Sequence, residues 1–501
     1  MTASGNKQYS FTVNQALSHT LGIITNCLKE NNIRGYLVGG VIRDGILRRP
    51  IDDIDIITDA DPQESAPKLA ELLNGKYVPF DKENRTTRIM PADTKTGKLY
   101  HVDISAIKNT LTDDLLRRDF TVNAMAVPLE LAGSKISGSD IIDPFNGLGD
   151  IAKKVLRAVS AKSFQEDPLR LLRAVRLATE LNFKIEPETE TRIKKECQLI
   201  SSVSGERIRE ELLKLLALPQ TGDLFLYTEE LGLVSAVIPE LIPSKGLEQP
   251  SEHYWDVFIH SVKTIDAIGH ILGKEKWEYN SEAIHFVPQS AETESYFNAK
   301  VGGSSTRLIL LKLTALLHDI AKPKMKFIDE NGRIRFFGHP KEGAPMVFEI
   351  MERLRFSNKE TKIVEKITKH HLRPTQMTQM GIVTDHAIYR YFRDVGDVAI
   401  DTLYFTLADH LAARGPTLDI ENWKQHTAAV KYILQKHQEQ ESKISLPPII
   451  NGNEIMREFG LTPGPQIGEL LETVREAQAS GEIADRIGAL DYIRGFLRAK
   501  S

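Results

Sequence analysis

The chain has 501 residues, 41% hydrophobic and 26% charged, an ordinary globular composition but too long for one core; three or four domains are expected. Its 68 acidic residues outnumber 64 basic ones, a net charge of −4, which excludes a globally basic nucleic-acid binder and makes any basic surface local. Two distant cysteines, Cys27 and Cys197, exclude a disulfide framework and a thiolate-rich zinc site and fit a reducing cytoplasm.

The opening MTASGNKQYSFTVNQ is polar and lacks the apolar centre of a signal sequence. Val13, Leu17, Leu21, Ile24 and Leu28 then recur at helical spacing. Short strand-like and helical runs alternate after that. RGYLVGG reads as a strand, VIRDGILRR as a helix, DIDIIT as a strand, PQESAPKLAELLN as a helix, and TTRIM and LYHVDIS as strands. These make a small α/β domain, 1–157. From about 160 the pattern is helical. SAKSFQEDPLRLLRAVRLATELN and SGERIREELLKLLAL are amphipathic and define a second region, 158–242. PSKGLEQP, 243–250, reads as a linker. A second helical block covers 251–415, with a hairpin around Asn331-Gly332. The most apolar run, LILLKLTALL, contains Lys312 and is too short to span a bilayer, so no membrane segment is expected. A tail, 416–501, holds a charged stretch and then a turn and helix in FGLTPGPQIGELLETVREAQ.

The candidate chemistry begins in YLVGGVIRDGILRRPIDDIDIIT. Asp53 and Asp55 are two apart, so on a strand they share a face. Two adjacent carboxylates repel, and burying both is costly unless a cation joins them. Hard oxygen ligands suit Mg²⁺, and a pair of such ions can hold the attacking and leaving oxygens of a phosphoryl displacement. Gly39-Gly40 ends one strand and opens a helix, where backbone N–H groups can approach phosphates. Asp103 supplies a third carboxylate on another strand. Taken alone, Asp52 and Asp53 fit better as a turn after Pro50, with Asp55 facing solvent; the glycine pair upstream and Asp103 on a following strand reverse that preference.

With those residues in view, the stretch resembles the first motif of the polymerase-β-type nucleotidyltransferases. It is most similar to the bacterial class II tRNA nucleotidyltransferase and poly(A) polymerase family. The resemblance implies an α+β head with a small mixed sheet, followed by all-helical neck, HD and tail domains. It implies that Asp53 and Asp55 hold metals and that Gly39, Gly40, Arg43 and Asp44 line a triphosphate site. DLLRRDFTVNAMA resembles the second motif, with Arg118, Asp119 and Asn123 at nucleotide-pocket positions. DPFNGLGDI resembles the third. In EDPLRLLRAVRLA, Asp167 reads as an N-cap, Pro168 as the first helical residue, and Arg170, Arg173 and Arg176 as a basic stripe, which fits a solvated face; by the resemblance all four charged residues, Asp167, Arg170, Arg173 and Arg176, are expected at the nucleotide site. The resemblance implies that Asp167 and Arg170 serve as an amino-acid template for the incoming base. An Asp acceptor and an Arg donor would favour C and A over U and G. GERIREELLKLL resembles the fifth motif, with Arg207, Arg209 and Lys214 offered to an RNA backbone or to solvent.

One departure bears on function. The family carries a flexible loop between the third carboxylate and the second motif, which helps switch the pocket from C to A. Here VDISAIKNTLTDDLLRRDF runs directly on, with Lys108 near the position of the family's Arg. The leading expectation is a tRNA 3′-terminal nucleotidyltransferase that adds C and then A from CTP and ATP by two-metal phosphoryl transfer without a nucleic-acid template; because of the short connection, a CC-adding enzyme that leaves the terminal A to a partner enzyme is a specific alternative.

The helical block carries a second constellation: His260, His318-Asp319 in HDIAKP, His339, the pair His370-His371, and Asp409. Imidazole plus carboxylate suits Mn, Fe, Ni or Mg/Zn-type sites, and an adjacent His-Asp on a helix can point one ligand at each of two ions. The order resembles the HD phosphohydrolase superfamily, with His370 and His371 left as alternative ligands. The expected partners are tRNA, CTP and ATP, and the expected cofactors are Mg²⁺ in the head and a divalent metal in the HD block. The expected location is the cytoplasm. A poly(A) polymerase and a protein acting mainly through HD hydrolysis are the rival readings.

Overall fold

The computed structural model describes residues 9–81, 86–91, 101–133, 135–379, 383–444 and 449–500. The chain divides into two compact units, one of residues 1–203 with 230–233, the other of 204–229 with 234–501.

Among the described residues, the first unit is built on a mixed six-stranded sheet. Its strands are β1 (Gly35–Val38), β2 (Asp53–Thr58), β3 (Gly75–Asp81), β4 (Thr86–Pro91), β5 (His101–Ala106) and β6 (Ala126–Pro128). Their spatial order is β3-β4-β5-β2-β1-β6. The strand β3 was not anticipated; GKYVPFD contains a proline and little alternation, and it pairs antiparallel with β4 as the sheet edge, where a proline is tolerated. The first two residues of LYHVDIS lie outside the described residues. Helices Gln15–Glu30 and Pro62–Leu72 pack together, and the second lies on β3, β4 and β5.

β2 is central, antiparallel to β1 and parallel to β5. Alternation explains its composition. Ile54 and Ile56 are fully buried on one face. Along the other face exposure falls steadily from Asp53, exposed, through Asp55, half-buried, to Ile57, buried against Val38, Leu115 and Ala124. The segment around helix Leu111–Leu116 covers one end of this face and leaves the other open.

The basic helix begins later than its sequence indicated. It spans Arg170–Leu181, after a short helix Ser163–Glu166, and Asp167 closes that short helix while still accepting from the Leu169 amide at 3.2 Å.

The second unit is helical. Helices Val257–Ile271, Arg307–Leu317, His339–Arg353, Asn358–His370 and Ala399–Arg414 pack into one core. The expected hairpin is present as Phe327–Ile328 paired with Ile334–Arg335. The tail helices Gly452–Phe459, Pro465–Ser480 and Arg486–Lys500 enclose their own core of Ile455, Leu470, Val474, Ala489 and Ile493. No described helix is long and apolar enough to cross a membrane.

Candidate active site

The sheet register sets three carboxylates side by side. Asp55 on β2 is directly opposite Asp103 on β5, and Asp53 lies two residues along the same face. Burial raises the Asp55 carboxyl above its usual range; Arg118 opposes this, while Asp103 and Asp53 add to it. Such a crowded carboxylate set fits a hard divalent cation in its donor chemistry.

Gly39 explains how the next element approaches. Its φ is +80°, a backbone region that a side chain would strain, and a Cβ there would stand 2.7 Å from Arg118 Nη1 and 2.8 Å from Asp55 Oδ2. The glycine thus lets the backbone press against the carboxylate and the arginine together. Gly40 opens helix Gly40–Ile46. In its first turn Arg43 forms a two-point contact with Asp44, at 3.0 and 2.6 Å, and donates to Asn123 Oδ1 at 2.6 Å.

The second motif is tied together from beneath. Asp119 is buried and accepts from Asn123 Nδ2 at 2.9 Å and from the Phe120 amide at 2.8 Å. Arg173 reaches Asp119 Oδ2 at 2.7 Å. Burial works to raise Asp119, but Arg173, Asn123 and the Phe120 amide outweigh it and hold the carboxyl below its usual range. Arg170 donates to the Ser163 carbonyl and hydroxyl, both at 3.1 Å, and to the Arg117 carbonyl. Arg176 is buried and pairs with Glu180 at 2.7 Å. The three arginines therefore differ: Arg176 is buried, Arg170 largely so, and Arg173 is exposed yet paired with Asp119, so that Arg170 and Arg173 tie their helix to the second motif.

Arg88 was missed in the sequence. It lies opposite Asp103 on β4 and grips both its carboxylate oxygens at 2.7 Å. Nothing in TTRIM marks this role; only the pairing of β4 with β5 does.

The second unit gathers its constellation from five places. His260 is on helix Val257–Ile271; His318 and Asp319 follow helix Arg307–Leu317; His339 begins its helix; His371 caps Asn358–His370; and Asp409 is on Ala399–Arg414. His260 Nε2 is 2.9 Å from Asp409, His318 Nε2 is 3.1 Å from Asp319, and His339 Nε2 is 3.1 Å from Asp319 and 3.3 Å from His371 Nε2. The pair His370-His371 splits. His371 is buried in the cluster, whereas His370 is half-buried and sits among Arg373, Lys369 and Asp394.

Metal-compatible triads are His260–His318–Asp409 and His318–Asp319–His371. Backbone carbonyls of Ala315, Phe336 and Thr368 hold the Nδ1 atoms of His318, His339 and His371, which aims each Nε2 inward. Both nitrogens of His260, His318 Nε2 and both Asp319 oxygens are buried without a partner in hydrogen-bond geometry. Orphaned polar atoms converging in one place fit a cation as ligands. Burial pushes His371 down to about 3. Burial alone would also lower His318, yet Asp319 and Asp409 outweigh it and push it up to about 10. Lys322, also missed, is buried with its Nζ 2.6 Å from Asp319 and 2.6 Å from Gln249 Oε1.

Three families of known proteins match successive parts of the chain. The Poly A polymerase head domain matches residues 35–157, the "Probable RNA and SrmB- binding site of polymerase A" matches 182–244, and the HD domain matches 257–414. A protein from Deinococcus radiodurans, named as an A-adding tRNA nucleotidyltransferase, is 32% identical over 89% of this chain and 92% of its own. The chain belongs to the tRNA nucleotidyltransferase family. As a member of this family it is an enzyme of tRNA nucleotidyl transfer. A Thermus thermophilus relative named as CC-adding is 28% identical over 92% of both chains. The fold is that of a solved CCA-adding enzyme, with a TM-score of 0.64 at 22% identity, over 97% of this chain and 95% of that one. A Thermotoga maritima CCA-adding enzyme complexed with tRNA gives 0.60 at 21% identity, over 98% and 100%.

Proposed function

We propose that this tRNA nucleotidyltransferase adds cytidines from CTP to the tRNA 3′ end and stops at CC, with no nucleic-acid template. The connection from β5 to the next helix carries the proposal. Residues 107–110 alone separate Ala106 from Leu111, and Thr110 is already the cap of helix Leu111–Leu116. The family's switching loop has no room there. Relatives named as CC-adding, from Thermus thermophilus and Geobacter sulfurreducens, support the reading at 28% and 26% identity; the A-adding relative at 32% keeps A addition as the rival.

In this reading Asp53 and Asp55 would hold Mg²⁺, which would supply charge neutralisation for phosphoryl transfer at the triphosphate. The backbone at Gly39 and Gly40 and the Arg118 guanidinium receive the triphosphate. Asp103 assists the primer 3′-hydroxyl, and Arg88 sets how much of its charge is available. Asp167 and Arg170 read the base, with Arg170 pre-positioned by the two carbonyls it contacts. The reaction takes place in the cytoplasm, where the free thiols Cys27 and Cys197 stay reduced.

The test uses two tRNAs, one lacking its 3′ triplet and one ending in CC, each with CTP, ATP or both, followed by sequencing of the ends. Ends stopping at CC with both nucleotides present support the proposal. Addition of A to the CC end alone supports the A-adding rival, completion to CCA a full enzyme, and long A tails on arbitrary RNA a poly(A) polymerase.

The buried His/Asp cluster favours a second activity, metal-dependent hydrolysis of a phosphate ester. Release of phosphate from a phosphate ester by wild type but not by the His318→Ala variant is the supporting result.

A further inference from the structure

We infer that the hairpin Phe327–Arg335 and the turn into His339 form a stacking platform for single-stranded RNA, which delivers a terminal phosphate ester to the His/Asp cluster. The inference rests on reading that cluster as a metal site for phosphate chemistry.

The platform is apolar where it faces water. Ile328 is 65% exposed and Phe337 69%, and Phe327 is also exposed. The rings of Phe327 and Phe337 are 5.5 Å apart and tilted at 46°, adjacent exposed aromatic faces. Between 322 and 342 the chain has six basic and three acidic residues. Lys324 is paired with Glu342, and Arg335 with Asp329 at 2.9 Å. Lys326, Arg333 and Lys341 are exposed and form no ion pair among the described residues. Aromatic faces beside unpaired cations are the combination that binds single strands, because every base has a stacking face and every linkage a negative charge.

The platform is also joined to the cluster. The Phe336 carbonyl, one residue before Phe337, is 2.7 Å from His339 Nδ1 and so orients that ligand. Lys322 is 5.5 Å from the Phe336 ring and 2.6 Å from Asp319. Phe337 and His339 are two residues apart, at most about 7 Å of backbone. A base stacked on Phe337 is thereby joined to a ligand of the cluster through two residues of backbone. A lipid surface or a protein partner would use the same exposed rings, but neither accounts for their continuity with buried phosphate-type chemistry.

The test uses the full-length protein and a fluorescent oligouridylate of six nucleotides with a 3′-phosphate and one 4-thiouridine. Binding is read by anisotropy, and the contact is mapped by photocrosslinking. Wild type is expected to crosslink within 327–337. The double variant Phe327→Ala/Phe337→Ala is expected to bind at least fivefold more weakly, about the loss of one stacked base. Its melting temperature and its CTP addition to tRNA stay unchanged. A second variant, Lys326→Glu/Arg333→Glu, should weaken binding and flatten its salt dependence. Equal binding by both variants, crosslinks confined to residues 30–203, or preference for phosphatidylglycerol vesicles over the oligonucleotide overturns the inference. Elemental analysis separates it from the metal reading. Wild type that crosslinks at the platform but holds no metal sinks the metal reading and upholds the platform. Metal retained with unaltered binding sinks the platform alone.

Discussion

The two acidic clusters of this chain solve the cost of crowded charge in opposite ways. In the sheet, three carboxylates stand on adjacent strands at the open end of a face, and Arg88 and Arg118 offset part of their repulsion. In the helical block, four histidines and two aspartates converge from five helix-associated positions; all but Asp409 are buried, and several of their atoms meet only as close charged contacts outside hydrogen-bond geometry. An open carboxylate site can share its cations with a large substrate that brings its own phosphates. A buried histidine-rich site supplies most ligands from the protein, so a metal there would be held in the resting enzyme before substrate arrives.

The contrast can be broken by substitution. The largest effect is expected from Asp55→Ala, or Asp53→Ala. CTP addition to tRNA should fall by about three orders of magnitude or more, while elemental analysis finds the metal content of the helical block unchanged. Loss of both would mean that the two centres are not independent. Gly39→Ala comes next. The added methyl meets Arg118 and Asp55 in a left-handed backbone, so addition should fall about a hundredfold, and stability by about 1–3 kcal/mol, both measurable by single-turnover kinetics and denaturant titration.

His318→Ala tests the other side. Bound metal should fall at least about tenfold, with tRNA addition retained. A variant that keeps its metal would show that the orphaned nitrogens have another purpose.

The smallest and sharpest test is pH. His318 is pushed up to about 10 by Asp319 and Asp409, so a metal must displace its proton. Apparent metal affinity should therefore rise with pH, by up to about tenfold per unit below that value, and calorimetry in buffers of different ionisation enthalpy should count about one proton released. A buried His371 pushed down to about 3 is already neutral and should release none.

Much of the first site was legible because strand periodicity is strict. Asp53 and Asp55 must share a face whatever surrounds them, and Gly39-Gly40 must be a turn or a close approach. Asp103 was legible as a third carboxylate, but its direct register with Asp55 was not, because pairing between strands separated by some fifty residues has no local signal. Arg88 escaped notice for the same reason. In the helical block, HDIAKP identified His318 and Asp319. The choice between His370 and His371 waited on the end of helix Asn358–His370, since adjacent residues there point about 100° apart and only one can face the core. For Arg170, Arg173 and Arg176 the spacing gave a shared side of the helix but not the partners on it, because the contact of Arg173 with Asp119 joins residues more than fifty apart.

The sequence by itself determined which chemistry the chain carries: the kinds of ligand, their local spacing, and the short run from Asp103 to Arg118. Only the tertiary structure decided which of these groups meet, which are already paired, and how deeply each is buried. Local geometry follows from bonds between neighbours, whereas charge compensation and desolvation depend on residues brought together from distant parts of the chain.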